Sequence, residues 1–314
     1  MRLPLVFVAI LLAIAPARAD RLQIVLWNLE GPAGLTDRDS DLKNFGAFAK
    51  DADAVVLVET IGEDQLTAMK NKSGLAGLNH AISDFAKDSE PNPYFKLELG
   101  VLTPHAIGTV READPREDND TPAMRAKDEP VDVPAWLPAT QRGNRAHRGW
   151  FWVELPAQKL VVIAVHLKSS RGDSGFEDKS NAERRENIAA ALGVAIREDR
   201  KDRGDWSYVV AGDFNVAPGD AAKVGYDLEA DCTAERCFGY DQTHALLTGG
   251  LVHGLVMRNL TEGLGATYAS GAFVDSPIDN VLGVGPIFAT TTRVTAERGQ
   301  TFGSDHFSVR VTVE

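Results

Sequence analysis

Short apolar runs rich in Val, Ile, Leu and aromatic side chains recur along the chain, separated by polar, helix-compatible stretches. The runs at 22–27, 54–58, 100–103, 149–155, 160–165, 208–211, 278–282 and 307–313 predict strands, because β-branched and aromatic residues bounded by turn residues suit a buried, pleated surface. Residues 181–200 have a different rhythm. Ile188, Ala191, Leu192 and Ala195 fall at three- and four-residue steps, which predicts an amphipathic helix. No repeat period or low-complexity tract is visible. Strands that pair locally, and again across helical segments, predict an α/β (or α+β) chain with two packed sheets and helices outside them.

The polar residues that interrupt this pattern are the informative ones. The runs end in Asn28, Glu59, His166 and Asp213, while two others begin at Asp279 and at the pair Asp305 and His306. Each has an ordinary structural explanation: Asn28 suits a turn cap, Glu59 a helix start, and Asp213 with Asn215 a βα turn. Their conjunction is what matters, because buried unpaired charge is expensive. Six such positions predict one rim lined with carboxylates, amides and imidazoles.

Composition narrows the classes. The 314 residues carry 33 Lys+Arg against 45 Asp+Glu, with 44% hydrophobic and 25% charged residues, values of a folded globular protein. Disorder, collagen-like sequence and coiled coil are excluded, and the length permits two small domains or one large one. Residues 1–19 hold a short apolar run, then Pro16 and the small-x-small ending Ala17-Arg18-Ala19, which predicts a cleaved export signal and a chain starting at Asp20. Cleavage removes Arg2 and Arg18 and no acid, leaving a net charge of −14. A basic nucleic-acid coat is thereby excluded, and no later stretch has the roughly 20 apolar residues of a membrane helix. After export, Cys232 and Cys237 are expected to form a local disulfide, since two cysteines alone make no structural zinc site. Residues 112–132 carry eight acids, three bases and three prolines, the composition of a solvated loop, with a substrate-covering lid as the functional alternative. A basic patch, Arg142, Arg145, His147 and Arg148, follows it.

Six segments together resemble the ordered motif set of the endonuclease/exonuclease/phosphatase superfamily, the deoxyribonuclease I-like enzymes. They are Ile-Val-Leu-Trp-Asn-Leu-Glu (24–30), Val-Val-Leu-Val-Glu-Thr (55–60), Val-His-Leu-Lys-Ser (165–169), Ala-Gly-Asp-Phe-Asn (211–215), Pro-Ile-Asp-Asn (277–280) and Ser-Asp-His-Phe (304–307). Gly-Asp-Phe-Asn and Ser-Asp-His are the specific parts. The resemblance implies one domain over 20–314, built as a four-layer α/β/β/α sandwich of two packed mixed sheets with outer helices. It also implies that Glu59 is the principal metal ligand, supported by Asn28, Glu30 and Asp305. Oxygen ligands suit Mg²⁺ or Mn²⁺, with Ca²⁺ as a further option, better than zinc.

In the same resemblance Asp213 and Asn215 orient the attacking water and bind phosphate. Asp279 holds the ring of His306, and His166 reaches the phosphate from the other side. The general base is left open between Asp213 and His306. Lys168 and Arg148 are candidate phosphate contacts, whereas Arg184 and Arg185 are expected on the solvated face of a helix. Val58 stands where the family often has Gln and Asn280 where many members have His, and the abasic-site endonucleases carry Tyr in place of His166. The remaining histidines, His80, His105, His147, His244 and His253, lack metal-ligand spacing. The implied activity is that of an exported, periplasmic or secreted, metal-dependent phosphodiesterase acting on nucleic acid. The alternatives are a phosphomonoesterase or lipid phosphodiesterase on the same site, or, remotely, a non-catalytic binding protein. No obligate protein partner is implied, and a monomer is expected.

Overall fold

A computed structural model describes residues 21–85, 97–113, 149–169, 171–172, 175–176, 179–218, 241–252, 254–269 and 275–314. The predicted signal segment, Cys232 and Cys237, most of the acidic tract, and the patch ending at Arg148 lie outside the described residues.

Two six-stranded sheets form the centre. The first contains β1 (Leu22–Asn28), β2 (Ala54–Thr60), β3 (Asn79–Ile82), β4 (Glu98–Thr103), β13 (Val294–Arg298) and β14 (Val309–Val313), in the order β13-β14-β1-β2-β4-β3. The second contains β5 (Val110–Ala113), β6 (Trp150–Leu155), β7 (Leu160–His166), β10 (Ser207–Asp213), β11 (Arg258–Asn259) and β12 (Asp279–Val284), in the order β11-β12-β10-β7-β6-β5. Each has one parallel pair, β1 with β2 and β7 with β10, flanked by antiparallel neighbours, so both sheets are mixed. A small hairpin, β8 (Arg171–Gly172) with β9 (Gly175–Phe176), follows β7.

The central strands read as continuous apolar runs because both of their faces are covered. In β1, Ile24 and Leu26 meet Val162, Ala164 and Val209 of the second sheet, while Val25 and Trp27 face the other way. There they pack with Leu42 and Phe45 of α1 (Asp39–Ala49) and Leu66 and Met69 of α2 (Glu63–Ser73). On the far side, Ile163, Val165, Tyr208 and Val210 pack with Ile188, Leu192 and Ile196 of α3 (Lys179–Asp202) and Leu246 of α4 (Thr243–Thr248). The layers therefore run helices, sheet, sheet, helices, the expected sandwich. A short helix α5 (Pro286–Thr290) links β12 to β13. Among the described residues no helix is long and apolar enough to cross a membrane.

Several expectations shift in detail. The run at 307–313 becomes a strand only from Val309, so Asp305 and His306 sit in the turn before it rather than on it. The helix expected over 181–200 extends to Lys179–Asp202. Arg185 is buried in that helix, not on a solvated face. Its Nε donates to Asp241 Oδ2 at 2.8 Å, and its Nη1 donates to the Lys168 carbonyl at 2.7 Å. A long basic side chain with a fixed carboxylate opposite it can enter a core that an unpaired one cannot.

Candidate active site

The strand-end residues converge at one end of the sandwich because strand register aligns them. Asp213 stands opposite His166 across the parallel β7–β10 pair and opposite Asp279 across the antiparallel β10–β12 pair. A side chain at Gly212 would put its Cβ 1.8 Å from the Val165 carbonyl oxygen, so the glycine before Asp213 permits this close approach. From the first sheet, β1 ends in Asn28. In β2 the pairing with β4 shifts register between Val58 and Thr60, leaving Glu59 at a bulge with φ 61°. Bulges re-aim side chains in this way. Glu30 at φ 52° and Asn215 at φ 55° share the left-handed conformation, which costs an ordinary residue roughly 1–3 kcal/mol and marks positions that surrounding contacts hold in place.

Asp213 is the hub. Its Oδ1 accepts the Asn215 backbone N–H at 2.8 Å and its Oδ2 accepts the Asn28 amide at 3.3 Å. His166 Nε2 lies 3.6 Å and His306 Nε2 3.9 Å from Oδ2. Burial pushes the Asp213 carboxyl up, His306 opposes that and Asp279 adds to it, with the Asn215 N–H lowering and Glu59 raising it further, for a result of about 7. Burial alone would drive the His306 ring down. The charge and hydrogen bond of Asp279, with Asp213 and Asp305, outweigh that and hold it at about 10. Asp279 Oδ2 is 2.7 Å from His306 Nδ1, which fixes the ring with Nε2 toward Asp213 and Asn28. The Tyr268 ring packs on the same imidazole, centroids 4.8 Å apart.

Beside this hub lies a carboxylate group. Glu59 Oε1 is 3.4 Å from His166 Nε2, and Asp305 Oδ1 is 3.9 Å from His306 Nε2. Burial raises the Glu30 carboxyl, and the charges of Asp305 and Glu59 raise it further, against the Asp305 backbone N–H and Arg38. A carboxyl pushed toward protonation by neighbouring carboxylates is what a bound cation relieves, and hard oxygens of this kind suit a divalent one. By the chemistry of their oxygens, Asn28, Glu30, Glu59 and Asp305 fit the implied metal, and Glu30 is coupled by charge to Asp305 and Glu59. Ligand atoms of Glu59, His166 and Asp213 lie within 4.8 Å of one another, as do those of Asp213, Asp279 and His306.

Asn28, Glu59, His166, Asp213, Asn215, Asp279, Asp305 and His306 thus meet at one end of the sandwich, with Glu30 coupled by charge to Asp305 and Glu59. Asn215 does so with its amide Nδ2 donating to the Leu167 carbonyl at 2.9 Å, so it also shapes the turn after β7. Lys168 follows in that turn, half-buried, with its carbonyl held by Arg185. Arg148 lies outside the described residues. His80, His105 and His244 are engaged elsewhere, His80 between Lys70 and Glu63, His105 between Asp53 and Gln158, and His244 stacked on Phe214.

Sequence reasoning missed the residues that brace the site. Gln65 donates to the Gly31 carbonyl at 2.8 Å and accepts the Ile61 N–H at 3.0 Å, joining the turns that carry Glu30 and Glu59. Gly31 must be glycine there, since a Cβ would lie 2.0 Å from the Glu59 carbonyl oxygen. Ser304 Oγ donates to the Asn28 carbonyl at 2.8 Å, and Thr267 Oγ1 accepts the Asp279 N–H at 2.9 Å. The only signal available for Ser304 was its place in Ser-Asp-His; Gln65 and Thr267 had none.

This architecture is that of known structures. No family model and no curated protein sequence matches the chain. Among solved structures, truncated TDP2 of Caenorhabditis elegans superposes with a TM-score of 0.58 at 12% identity, over 93% of this chain and 97% of that one. The 3' phosphatase NExo from Neisseria, bound to a product DNA hairpin, gives 0.56 at 20% identity over 93% and 98%. An endonuclease/exonuclease/phosphatase from Bacteroides vulgatus gives 0.56 at 15% over 94% and 98%. The chain has the endonuclease/exonuclease/phosphatase fold that its motifs implied.

Proposed function

We propose that the chain is an exported, divalent-metal-dependent phosphodiesterase that hydrolyses nucleic acid. The observation that carries the reading is the placement of Asp213. It is a buried carboxyl near pKa 7 between two imidazoles, one of them held by Asp279, with a ligand atom of Glu59 within 4.8 Å of it and of His166. Asn28, Glu30, Glu59 and Asp305 would hold the metal, which when bound neutralises a non-bridging phosphate oxygen. Asp213 takes the proton of the attacking water, its raised pKa matching the task near neutral pH. His306, kept protonated by Asp279, presents Nε2–H to the negative charge that builds on the phosphoryl oxygens, and His166 does so from the β7 side.

Nucleic acid is favoured as substrate because neighbours of this fold, the Neisseria 3' phosphatase and a zebrafish TDP2, were solved with DNA products. Export rests on residues 1–19 alone. The test is a panel of plasmid DNA, single-stranded DNA, RNA, a 3'-phosphorylated oligonucleotide, sphingomyelin and inositol phosphates, each in chelator, Mg²⁺ or Mn²⁺. Metal-restored cleavage of a polynucleotide is expected. Release of inorganic phosphate alone makes the chain a phosphomonoesterase, and full activity in chelator overturns the mechanism. Mass analysis of protein exported by a bacterial host should place the new N-terminus at Asp20.

A further inference from the structure

Arg38 is buried, and no carboxylate among the described residues accepts a hydrogen bond from it. Its guanidinium is spent on three backbone carbonyls. Nη1 donates to Leu29 at 2.9 Å and to Gly34 at 3.3 Å, while Nη2 and Nε donate to Phe302 at 2.9 and 3.3 Å. The Trp27 ring lies against it, 5.3 Å from Cζ to centroid. Burial pushes the guanidinium down, and the charges of Glu30 and Asp41 only oppose that from beyond hydrogen-bond reach, so its hydrogen bonds all go to backbone and the geometry they enforce needs explaining.

The carbonyls are informative by their position. Leu29 lies between Asn28 and Glu30, and Phe302 belongs to the turn that delivers Asp305 and His306. Glu30 and Phe302 are both left-handed, at φ 52° and 50°, so each turn holds a residue against its local preference. One rigid, planar fork spans both turns, which a lysine's single ammonium does not do. Trp27 Nε1 to the Thr301 carbonyl at 3.1 Å and Ser304 Oγ to the Asn28 carbonyl tie the same turns, and of these struts only Arg38 is charged.

We propose that Arg38 is the positioning residue of the divalent-cation site: its fork fixes the Glu30 turn against the Asp305 turn and so sets cation affinity without touching substrate. This rests on the cation site proposed above. The test is Mn²⁺ titration of the full chain, read by loss of the free-ion EPR signal, at a temperature where circular dichroism shows each variant folded. Changing a residue that supports metal ligands typically weakens binding by about 10–100-fold. Arg38→Gln should therefore bind Mn²⁺ at least ~10-fold more weakly, and Arg38→Lys should fall between.

A residue serving folding alone would lower the melting temperature in chelator and leave Mn²⁺ affinity unchanged. Glu59→Gln is the reference and should lose Mn²⁺ binding. If it does while both Arg38 variants keep full affinity, the Arg38 proposal is wrong and the cation site stands. If Glu59→Gln binds normally, the cation site fails and Arg38 with it. Should Arg38→Gln not fold, Arg38→Lys decides; failure of both to fold makes Arg38 a folding residue and overturns the proposal.

Discussion

Burial and Asp279 hold the Asp213 carboxyl up against His306, while Asp279 and Asp213 keep the His306 ring protonated, so the loss of either should be felt in rate rather than in stability. Asp213→Asn or His306→Ala should lower turnover by about 10²-fold or more, the usual contribution of a positioned acid or base, with little change in melting temperature. Asp279 acts through the ring it holds. A double-mutant cycle should therefore find His306→Ala and Asp279→Ala non-additive in turnover at saturating metal; losses that multiply would assign Asp279 a role of its own. A second buried carboxyl, Glu112, makes a separate prediction. Burial, with the neighbouring Asp84 and Glu98, raises it to about 9 from the ordinary 4.5. The folded state then holds a proton that the unfolded chain has released, so this group's stabilisation is complete below about pH 4.5 and is lost as pH rises toward 9. Its share of the slope is at most about 1.4 kcal/mol per pH unit. Chemical denaturation between pH 5 and 8 should show stability falling more steeply in the unmodified chain than in Glu112→Gln.

At the scale of elements, the buried pair of Arg185 with Asp241 fastens α3 to the start of α4 and supports the turn after β7. Arg185→Met leaves Asp241 buried without its cation, which should cost ~3–5 kcal/mol in denaturant unfolding. A cost under about 1 kcal/mol would mean that water replaces the guanidinium. The burial of Arg185 was not legible beforehand, because an arginine on a helix looks the same in sequence whether its partner is solvent or a residue 56 positions away. The central strands were legible, since β1, β2, β7 and β10 are apolar on both faces and no loop has that pattern. The edge strands were not. β3 and β13 are half-exposed and carry polar residues such as Asn79, His80, Thr295 and Glu297, so nothing apolar announces them. Helices α1 and α2 bury only a few side chains each, too few to stand out from surface sequence.

Across the whole molecule, the candidate site divides by sheet. Asn28, Glu30, Glu59 and Asp305 come from the ends of strands or adjoining turns in the first sheet, and His166, Asp213, Asn215 and Asp279 from the second. His306, on the first side, is tied to Asp279 on the second. The polar strand ends were visible as exceptions to an apolar pattern, and their convergence became legible only through the ordered motifs. Spacing alone does not place residues 28 and 306 beside each other. The bracing residues stayed hidden because a backbone carbonyl, the partner of Arg38 and Gln65, has no signature in sequence.

The strand orders of the two sheets carry a consequence for chain topology. Along the chain, β5-β6-β7-α3-β10-α4-β11-β12 repeats the connections and pairing directions of β13-β14 followed by β1-α1-β2-α2-β3-β4. The first sheet is thus the same unit as the second, cut open between β14 and β1, where Leu22 and Val313 stand as direct partners. The side chains differ, which is why no repeat period is visible in sequence. Joining Glu314 to Arg21 through ~4 Gly/Ser residues and opening the chain at the exposed Ala106 would make each unit continuous, at a site suited to new termini. This circular permutant should fold and keep metal-dependent turnover within about tenfold of the parent, measured by circular dichroism and the same substrate panel. A permutant that stays unfolded would show that the order in which the units emerge, and not only their pairing, is needed to build the site.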